Sequence, residues 1–115
     1  MDETRAVEQV GPEEAARLVE SGAAMIDVRE PDEWSKGRAP GAVHIPLGEL
    51  GARLSELPGD RKLVMVCRSG ARSHAAAGAL LGVGLPAVNL AGGMQAWKAA
   101  SFPVVSDGGL PGEVA

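Results

Sequence analysis

Cysteine and aromatic residues are scarce in this chain of 115 residues, which has one cysteine, two tryptophans, one phenylalanine and no tyrosine. A single cysteine excludes an intramolecular disulfide, so folding does not depend on an oxidising compartment. With so few aromatic rings, the core is expected to consist of Val, Leu, Ala, Ile and Met. At this length we expect one domain with a real hydrophobic core.

Long apolar runs and an excess of positive charge are also missing. No stretch approaches the length that crosses a membrane, and the N-terminus, Met1-Asp2-Glu3-Thr4, lacks the apolar run of a signal peptide. A formal net charge of −4 argues against a general nucleic-acid binder. We therefore expect a soluble cytoplasmic protein without membrane or nucleic-acid partners. No group of His and Cys has metal-ligand spacing, so we expect neither a metal nor a cofactor.

Short apolar runs alternate with segments of helical spacing along the chain. Strands are predicted at 7–10, 23–28, 43–45, 63–66 and 86–90, and helices at 12–20, 31–34, 47–57, 73–83 and 94–100. This alternation predicts a three-layer α/β fold with a mainly parallel sheet and helices on both faces. The predicted domain spans residues 1–105. The Gly- and Pro-rich segment 106–115 is expected to be a flexible tail.

The single cysteine, Cys67, directly follows the predicted strand 63–66, and a glycine and two arginines separate it from the next helix. Inward-facing N–H groups and a helix N-terminus make such a loop an anion site, in which a cysteine should be a thiolate. We therefore take Cys67 as a nucleophile. The alternative is an inert buried cysteine, which is common in protein cores. The adjacent arginines argue against it, because unpaired guanidinium groups are costly to bury.

Four motifs occur in the order of a known family. They are Asp27-Val28-Arg29-Glu30 with Trp34, the segment 37–46 (GRAPGAVHIP), the segment 67–73 (CRSGARS), and 92–97 (GGMQAW) with Phe102-Pro103-Val104. Together they resemble the single-domain rhodaneses, which are sulfurtransferases. Two departures lie outside the cysteine loop: Arg38-Ala39 replaces the usual His-Ile, and Ser101 stands where many members have glycine. The resemblance implies a twisted parallel sheet of five strands, with the loop at its C-terminal edge.

The resemblance also implies a reaction. Cys67 would take a sulfane sulfur from a small anionic donor such as thiosulfate, or from a persulfide, and pass it to cyanide or to a thiol or protein acceptor. The loop is expected to bind the donor, and its predicted substrate-binding residues are Arg68, Ser69, Gly70, Ala71, Arg72 and Ser73. Of the two arginines, Arg72 is the better candidate for the sulfonate group because it closes the loop.

Asp27 and Arg29 are expected to support the loop from the adjacent strand end. For Asp27 we favour a structural ion pair and helix cap, whereas Arg29 suits either a structural or a tuning role. Neither His44 nor His74 is favoured as a general base, because a preformed thiolate needs none. His74 is close enough to the loop in sequence to modulate the site.

Two other functions stay open on the sequence alone. Cysteine-based phosphatases and arsenate reductases of similar fold place five residues between the cysteine and an arginine. Here Arg72 comes one residue sooner, which makes a smaller cradle that suits a sulfur atom better than a tetrahedral oxyanion. A non-catalytic sulfur carrier or regulatory binding module is the second alternative, and the presence of Cys67 in an intact loop argues against a purely regulatory role.

Overall fold

The structure, a computed structural model, describes residues 6–115. The strands are β1 (Gln9–Val10), β2 (Ala24–Asp27), β3 (Val43–His44), β4 (Leu63–Val66) and β5 (Ala87–Leu90). The α-helices are α1 (Pro12–Glu20), α2 (Pro31–Lys36), α3 (Leu47–Leu50), α4 (Ala71–Gly82) and α5 (Gly93–Ala99), and 3₁₀ helices cover Gly51–Glu56 and Asp107–Gly109. Within residues 6–115, none of the helices is long and apolar enough to cross a membrane.

The five strands form one parallel sheet in the order β1-β5-β4-β2-β3. Strand β4 lies at its centre, and all four of its residues are buried. A parallel strand covered on both faces is apolar throughout, which explains the uninterrupted Leu-Val-Met-Val sequence. The predicted α/β fold with a parallel five-stranded sheet is confirmed.

Two apolar clusters cover the two faces of the sheet. Alternate side chains of β4 belong to different clusters, as expected for a strand: Leu63 and Met65 to one, Val64 and Val66 to the other. The first cluster also contains Leu50 of α3, Cys67, and Ala76, Ala77 and Leu80 of α4. The second contains Ala15 of α1, and Met94 and Trp97 of α5. Cys67 therefore lies on the α4 face of the sheet.

The predicted helix 47–57 is interrupted. Helix α3 ends at Leu50 and a 3₁₀ helix follows, in which Arg53 has non-helical angles (φ −116°, ψ 22°). Gly48 and Gly51 explain the interruption, because glycine is among the residues that favour helix least. The apolar spacing still places Leu50, Leu54 and Leu57 against the core.

The segment 106–115, expected to be flexible, lies against the body in the structure. The N–H groups of Gly112 and Glu113 donate to the carbonyl oxygens of Val104 (2.9 Å) and Lys36 (2.8 Å). Val114 packs against the second core cluster. Glycine permits this crossing, because a Cβ on Gly112 would lie 2.9 Å from the Cα of Gly37. The close contact of Gly37 with Gly112 thus allows the segment 106–115 to pack against the body of the domain. Composition alone does not indicate this packing.

Candidate active site

The cysteine loop connects the end of β4 to the beginning of α4. Gly70 immediately precedes α4 with φ 103°, a left-handed conformation that favours glycine. A Cβ at this position would also lie 3.1 Å from the backbone nitrogen of Gly92. Glycine at position 70 therefore meets both a conformational and a steric requirement, and it lets the chain turn tightly around the sulfur of Cys67.

Backbone N–H groups and the Ser73 hydroxyl surround the Cys67 sulfur, which is almost fully buried. The N–H groups of Gly70 and Ser73 lie 3.1 and 3.4 Å from Sγ, and the Ser73 hydroxyl oxygen lies 3.3 Å from it. Burial alone would raise the pKa of Cys67, but hydrogen bonds from the hydroxyl and N–H of Ser73 and from the N–H groups of Gly70 and Ser69 outweigh it. The pKa of Cys67 is consequently lowered from 9.0, which favours the thiolate.

Helix α5 fastens the loop from the other side. The N–H groups of Met94 and Gln95 donate to the carbonyl oxygens of Cys67 (2.8 Å) and Arg68 (3.0 Å). A Cβ on Gly93 would lie 2.6 Å from the Arg68 oxygen, so this approach requires glycine. The Gly92-Gly93 motif thus holds the backbone whose N–H groups point at the sulfur.

Arg72, predicted to bind the sulfonate, makes a two-pronged ion pair with Glu33 of α2. The distances are 2.8 Å from Nη1 to Oε1 and 2.8 Å from Nη2 to Oε2. The hydrogen bond from Arg72 is the main cause that lowers the pKa of Glu33 to about 2. The charge of Arg72 is therefore balanced next to the loop, and binding of a donor by Arg72 stays a prediction.

The other predicted substrate-binding residues differ in their relation to the sulfur. Gly70 and Ser73, and the N–H of Ser69, are directed at the sulfur. The Arg68 side chain is exposed, and its Nε donates to a main-chain oxygen of Ala115 (2.6 Å). Ala71 begins α4 and contributes backbone to the first helical turn.

Asp27 and Arg29 form a completely buried ion pair. Arg29 Nε lies 3.0 and 3.1 Å from the two carboxylate oxygens of Asp27, and Nη2 lies 2.8 Å from Oδ2. Nη2 also donates to the Gly37 carbonyl (2.7 Å), and Nη1 to the Glu33 carbonyl (3.4 Å). These contacts fasten the end of β2 to α2, which is the geometry of a structural ion pair.

The two histidines lie in different surroundings. His44 Nε2 is 2.7 Å from the carbonyl oxygen of Arg29, and its ring stacks on Trp34 with centroids 4.6 Å apart. His74 is exposed and borders an open cleft of about 470 Å³ together with Ser69 and Asn89. Neither ring belongs to a metal cluster, since residues 6–115 contain no group of three or more His, Cys, Asp or Glu that could hold a metal.

Two residues at the site were not predicted from the sequence. Glu33 lies 39 residues from Arg72, and its position suggests only a helix cap, which it also makes through its 2.9 Å bond from the Glu30 N–H. Asn89 is buried in β5, where its Oδ1 accepts from Ser73 (2.6 Å) and its Nδ2 donates to the Gly70 carbonyl (3.0 Å). The sequence feature that could have identified Asn89 is a polar amide side chain within the otherwise apolar strand β5.

Cys67, whose pKa is lowered, follows the central parallel strand and is surrounded by N–H donors at a helix N-terminus. This arrangement is suited to a nucleophilic cysteine in an α/β fold. Residues 11–100 match the rhodanese-like domain family, and the chain belongs to that family.

Relatives of this chain bear sulfurtransferase names. A protein named sulfurtransferase from Allochromatium vinosum is 41% identical over 86 residues, which is 74% of this chain and 80% of the relative. The thiosulfate sulfurtransferase GlpE of Pseudomonas syringae is 34% identical over 91 residues, with 78% and 86% coverage. The family relationship therefore supports a role in sulfur transfer, without specifying the donor.

Solved structures share the fold. A rhodanese-related protein from Thermoplasma volcanium superimposes with a TM-score of 0.80 at 32% identity, over 85% of this chain and 97% of that one. A protein from Rhodopseudomonas palustris described as a possible tyrosine phosphatase has a TM-score of 0.75 at 28% identity, with 85% and 84% coverage. The fold alone does not distinguish sulfur transfer from phosphate ester hydrolysis. The geometry of the cysteine loop is therefore the feature that can distinguish them.

Proposed function

We propose that this protein is a sulfurtransferase that carries a sulfane sulfur on Cys67 as a persulfide. The observation that carries the proposal is the position of the Cys67 sulfur, 3.1 Å from the N–H of Gly70 and 3.4 Å from that of Ser73. Donors fixed in the backbone stabilise a negatively charged sulfur without supplying a proton to it. The same N–H groups can stabilise the thiolate before sulfur transfer and the persulfide after it.

Sulfur transfer through Cys67 takes two displacement steps. The thiolate attacks the outer sulfur of thiosulfate, a new S–S bond forms, and the old S–S bond breaks with its electron pair leaving on sulfite. The persulfide on Cys67 carries the negative charge. Cyanide, or the thiolate of an acceptor, then attacks the outer sulfur and releases the Cys67 thiolate. Charge is conserved in each step, and no oxidant or cofactor is consumed.

The donor is proposed to be thiosulfate or a persulfide of a small thiol or protein. The Glu33–Arg72 pair bears on this choice, because the guanidinium expected to bind sulfonate already has a carboxylate partner. A donor with less charge than thiosulfate needs no such guanidinium. We propose a reducing compartment such as the cytoplasm as the setting, since the chemistry requires Cys67 to be reduced.

Phosphate ester hydrolysis is the second candidate, favoured by the likeness to the possible tyrosine phosphatase. The short interval from Cys67 to Arg72 and the pairing of Arg72 with Glu33 both weigh against it. In phosphatase chemistry the arginine would have to hold the oxyanion.

A parallel assay tests the proposal. The wild type and Cys67→Ser are given thiosulfate with cyanide, a small-molecule persulfide with a thiol acceptor, and an aryl phosphate. We expect the wild type to transfer sulfur from at least one of the first two donors and Cys67→Ser to transfer none. Cys67-dependent hydrolysis of the aryl phosphate without any sulfur transfer would contradict the proposal.

A further inference from the structure

A buried chain of three polar side chains leads from the active-site sulfur into the sheet. Ser73 Oγ lies 3.3 Å from Cys67 Sγ and 2.6 Å from Asn89 Oδ1. All three residues are at most 1% exposed. At this degree of burial, the direction of each hydrogen bond has consequences for the sulfur.

The orientation of the Asn89 amide is fixed by its own partners. Its Nδ2 donates to the Gly70 carbonyl oxygen and to Gln9 Oε1, both at 3.0 Å. A main-chain carbonyl can only accept, so the nitrogen must face Gly70 and the oxygen must face Ser73. That oxygen can only accept as well. The 2.6 Å contact is therefore a hydrogen bond only when the Ser73 hydroxyl donates its hydrogen to Asn89.

The Ser73 hydroxyl has one hydrogen and two possible acceptors. When the hydrogen points at Asn89, Ser73 presents a lone pair to Cys67, which suits a protonated thiol. When it points at the sulfur, it stabilises the thiolate but leaves the buried Asn89 oxygen without a donor. The two acceptors therefore compete, and the Ser73 contact lowers the pKa of Cys67 only to the extent that the sulfur wins the hydrogen.

We propose that Asn89 is a positioning residue of the sulfur-transfer site, which orients the Ser73 hydroxyl and thereby limits how strongly that hydroxyl stabilises the Cys67 thiolate. The role of Asn89 in sulfur transfer rests on the proposed function. The orientation of the Ser73 hydroxyl rests only on the hydrogen bonds. A thiolate that is stabilised less is more nucleophilic once formed. When Cys67 carries the transferred sulfur, Sγ is no longer charged, and Asn89 keeps the hydroxyl hydrogen-bonded.

The pH profile of Cys67 alkylation by iodoacetamide measures this competition directly. In Asn89→Leu the competing acceptor is gone, so the profile should move to lower pH, and the rate well below the wild-type midpoint should rise roughly threefold or more. In Asn89→Asp a carboxylate accepts the hydroxyl more strongly and adds negative charge, so the profile should move to higher pH. A merely structural role predicts movement to higher pH in both variants, because a loosened loop loses its N–H donors.

The double variant Asn89→Leu with Ser73→Ala identifies the route of the effect. Relative to Ser73→Ala alone, Asn89→Leu should no longer move the profile, because no hydroxyl is left to reorient. The other charged or titratable groups around the loop are unchanged in every variant; they are the Glu33–Arg72 and Asp27–Arg29 pairs, Glu30, Arg68 and His74. If circular dichroism shows that Asn89→Leu does not fold, Asn89→Ala takes its place.

A shift to higher pH in Asn89→Leu, or a shift of the same size with and without Ser73, would overturn the proposal. Sulfur transfer is then measured separately in the same variants. Failure of the wild type to transfer sulfur would refute the proposed function while the alkylation result still decides the orientation of Ser73.

Discussion

Two arginine–carboxylate pairs lie near the cysteine loop, and they differ in burial. In the Asp27–Arg29 pair, both side chains are at most 1% exposed. In the Glu33–Arg72 pair, the carboxylate side chain is 18% and the guanidinium side chain 36% exposed. Both have hydrogen bonds of 2.8 Å, so distance does not distinguish them.

The surroundings of each pair suggest different roles. Arg29 makes further bonds to the carbonyl oxygens of Gly37 and Glu33, so the buried pair connects β2 with the chain that follows it. Arg72 lies in the first turn of α4, directly after the cysteine loop, and its charge is the one that Glu33 balances. The buried Asp27–Arg29 pair thus stabilises the fold, whereas the partly exposed Glu33–Arg72 pair determines the net charge next to the sulfur.

Breaking the buried pair should have the largest effect on stability. Asp27→Asn leaves the Arg29 guanidinium buried without its counter-charge, which costs about 3–5 kcal/mol. Urea unfolding should show a midpoint far below that of the wild type at unchanged slope. A loss below about 1 kcal/mol would contradict the scaffold role, since that is the range of exposed pairs.

Breaking the partly exposed Glu33–Arg72 pair should lower stability less than breaking the buried pair, but it should change the preference between sulfur donors more. Glu33→Gln keeps an oxygen for the Glu30 N–H but removes the charge, and we expect a stability loss of roughly 1 kcal/mol. Without its carboxylate, Arg72 should attract the dianionic thiosulfate, so kcat/KM for thiosulfate should rise roughly twofold to tenfold at low salt. A small-molecule persulfide, which carries less negative charge than thiosulfate, is the control and should show a smaller change. Equal changes for both donors would contradict a charge effect.

The Glu33–Arg72 pair should also show a defined pH dependence. The pKa of Glu33 is lowered from 4.5 to about 2, so its contribution to stability is fully present above 4.5 and lost as the pH falls towards 2. The difference in unfolding free energy between the wild type and Glu33→Gln should therefore be constant near neutral pH and shrink between pH 4.5 and 2. A difference that does not change over this interval would show that the pair is not formed in solution.

The smallest effect is expected at a third arginine, whose two carboxylate partners are more exposed than Glu33. Arg53 contacts Glu49 and Glu56, both at 2.8 Å, in the segment after α3. Such pairs are screened by water and salt, so Arg53→Gln should leave the unfolding midpoint and the rate of sulfur transfer unchanged within error. A loss as large as that of Glu33→Gln would mean that burial does not separate the pairs.

Much of the fold was accessible from the sequence because local patterns determine it. The apolar run before Cys67 predicted β4, and the alanine-rich segment after it predicted a helix, which begins at Ala71, two residues before the predicted start. Local pattern did not predict the break at Arg53 in the helix expected for 47–57. Local pattern also did not predict that residues 106–115 pack against the body, because the close approach of Gly37 and Gly112 depends on the assembled fold.

The site was predicted in part for the same reason. Cys67 and Gly70 lie in the cysteine loop and Ser73 in the first turn of α4 directly after it, so their proximity follows from the chain itself. Glu33 and Asn89 reach this loop from α2 and β5, and their partners are known only once these elements are in place. The charge of Arg72 could be read from the sequence, whereas its neutralisation by Glu33 could not.

The formation of a persulfide on Cys67 is tested most directly by intact-mass measurement after incubation with thiosulfate and, separately, with a small-molecule persulfide. For the wild type we predict a gain of one sulfur atom that maps to Cys67, is lost on addition of cyanide and is absent in Cys67→Ser. A wild-type mass that stays unchanged with both donors would contradict sulfur transfer by this protein.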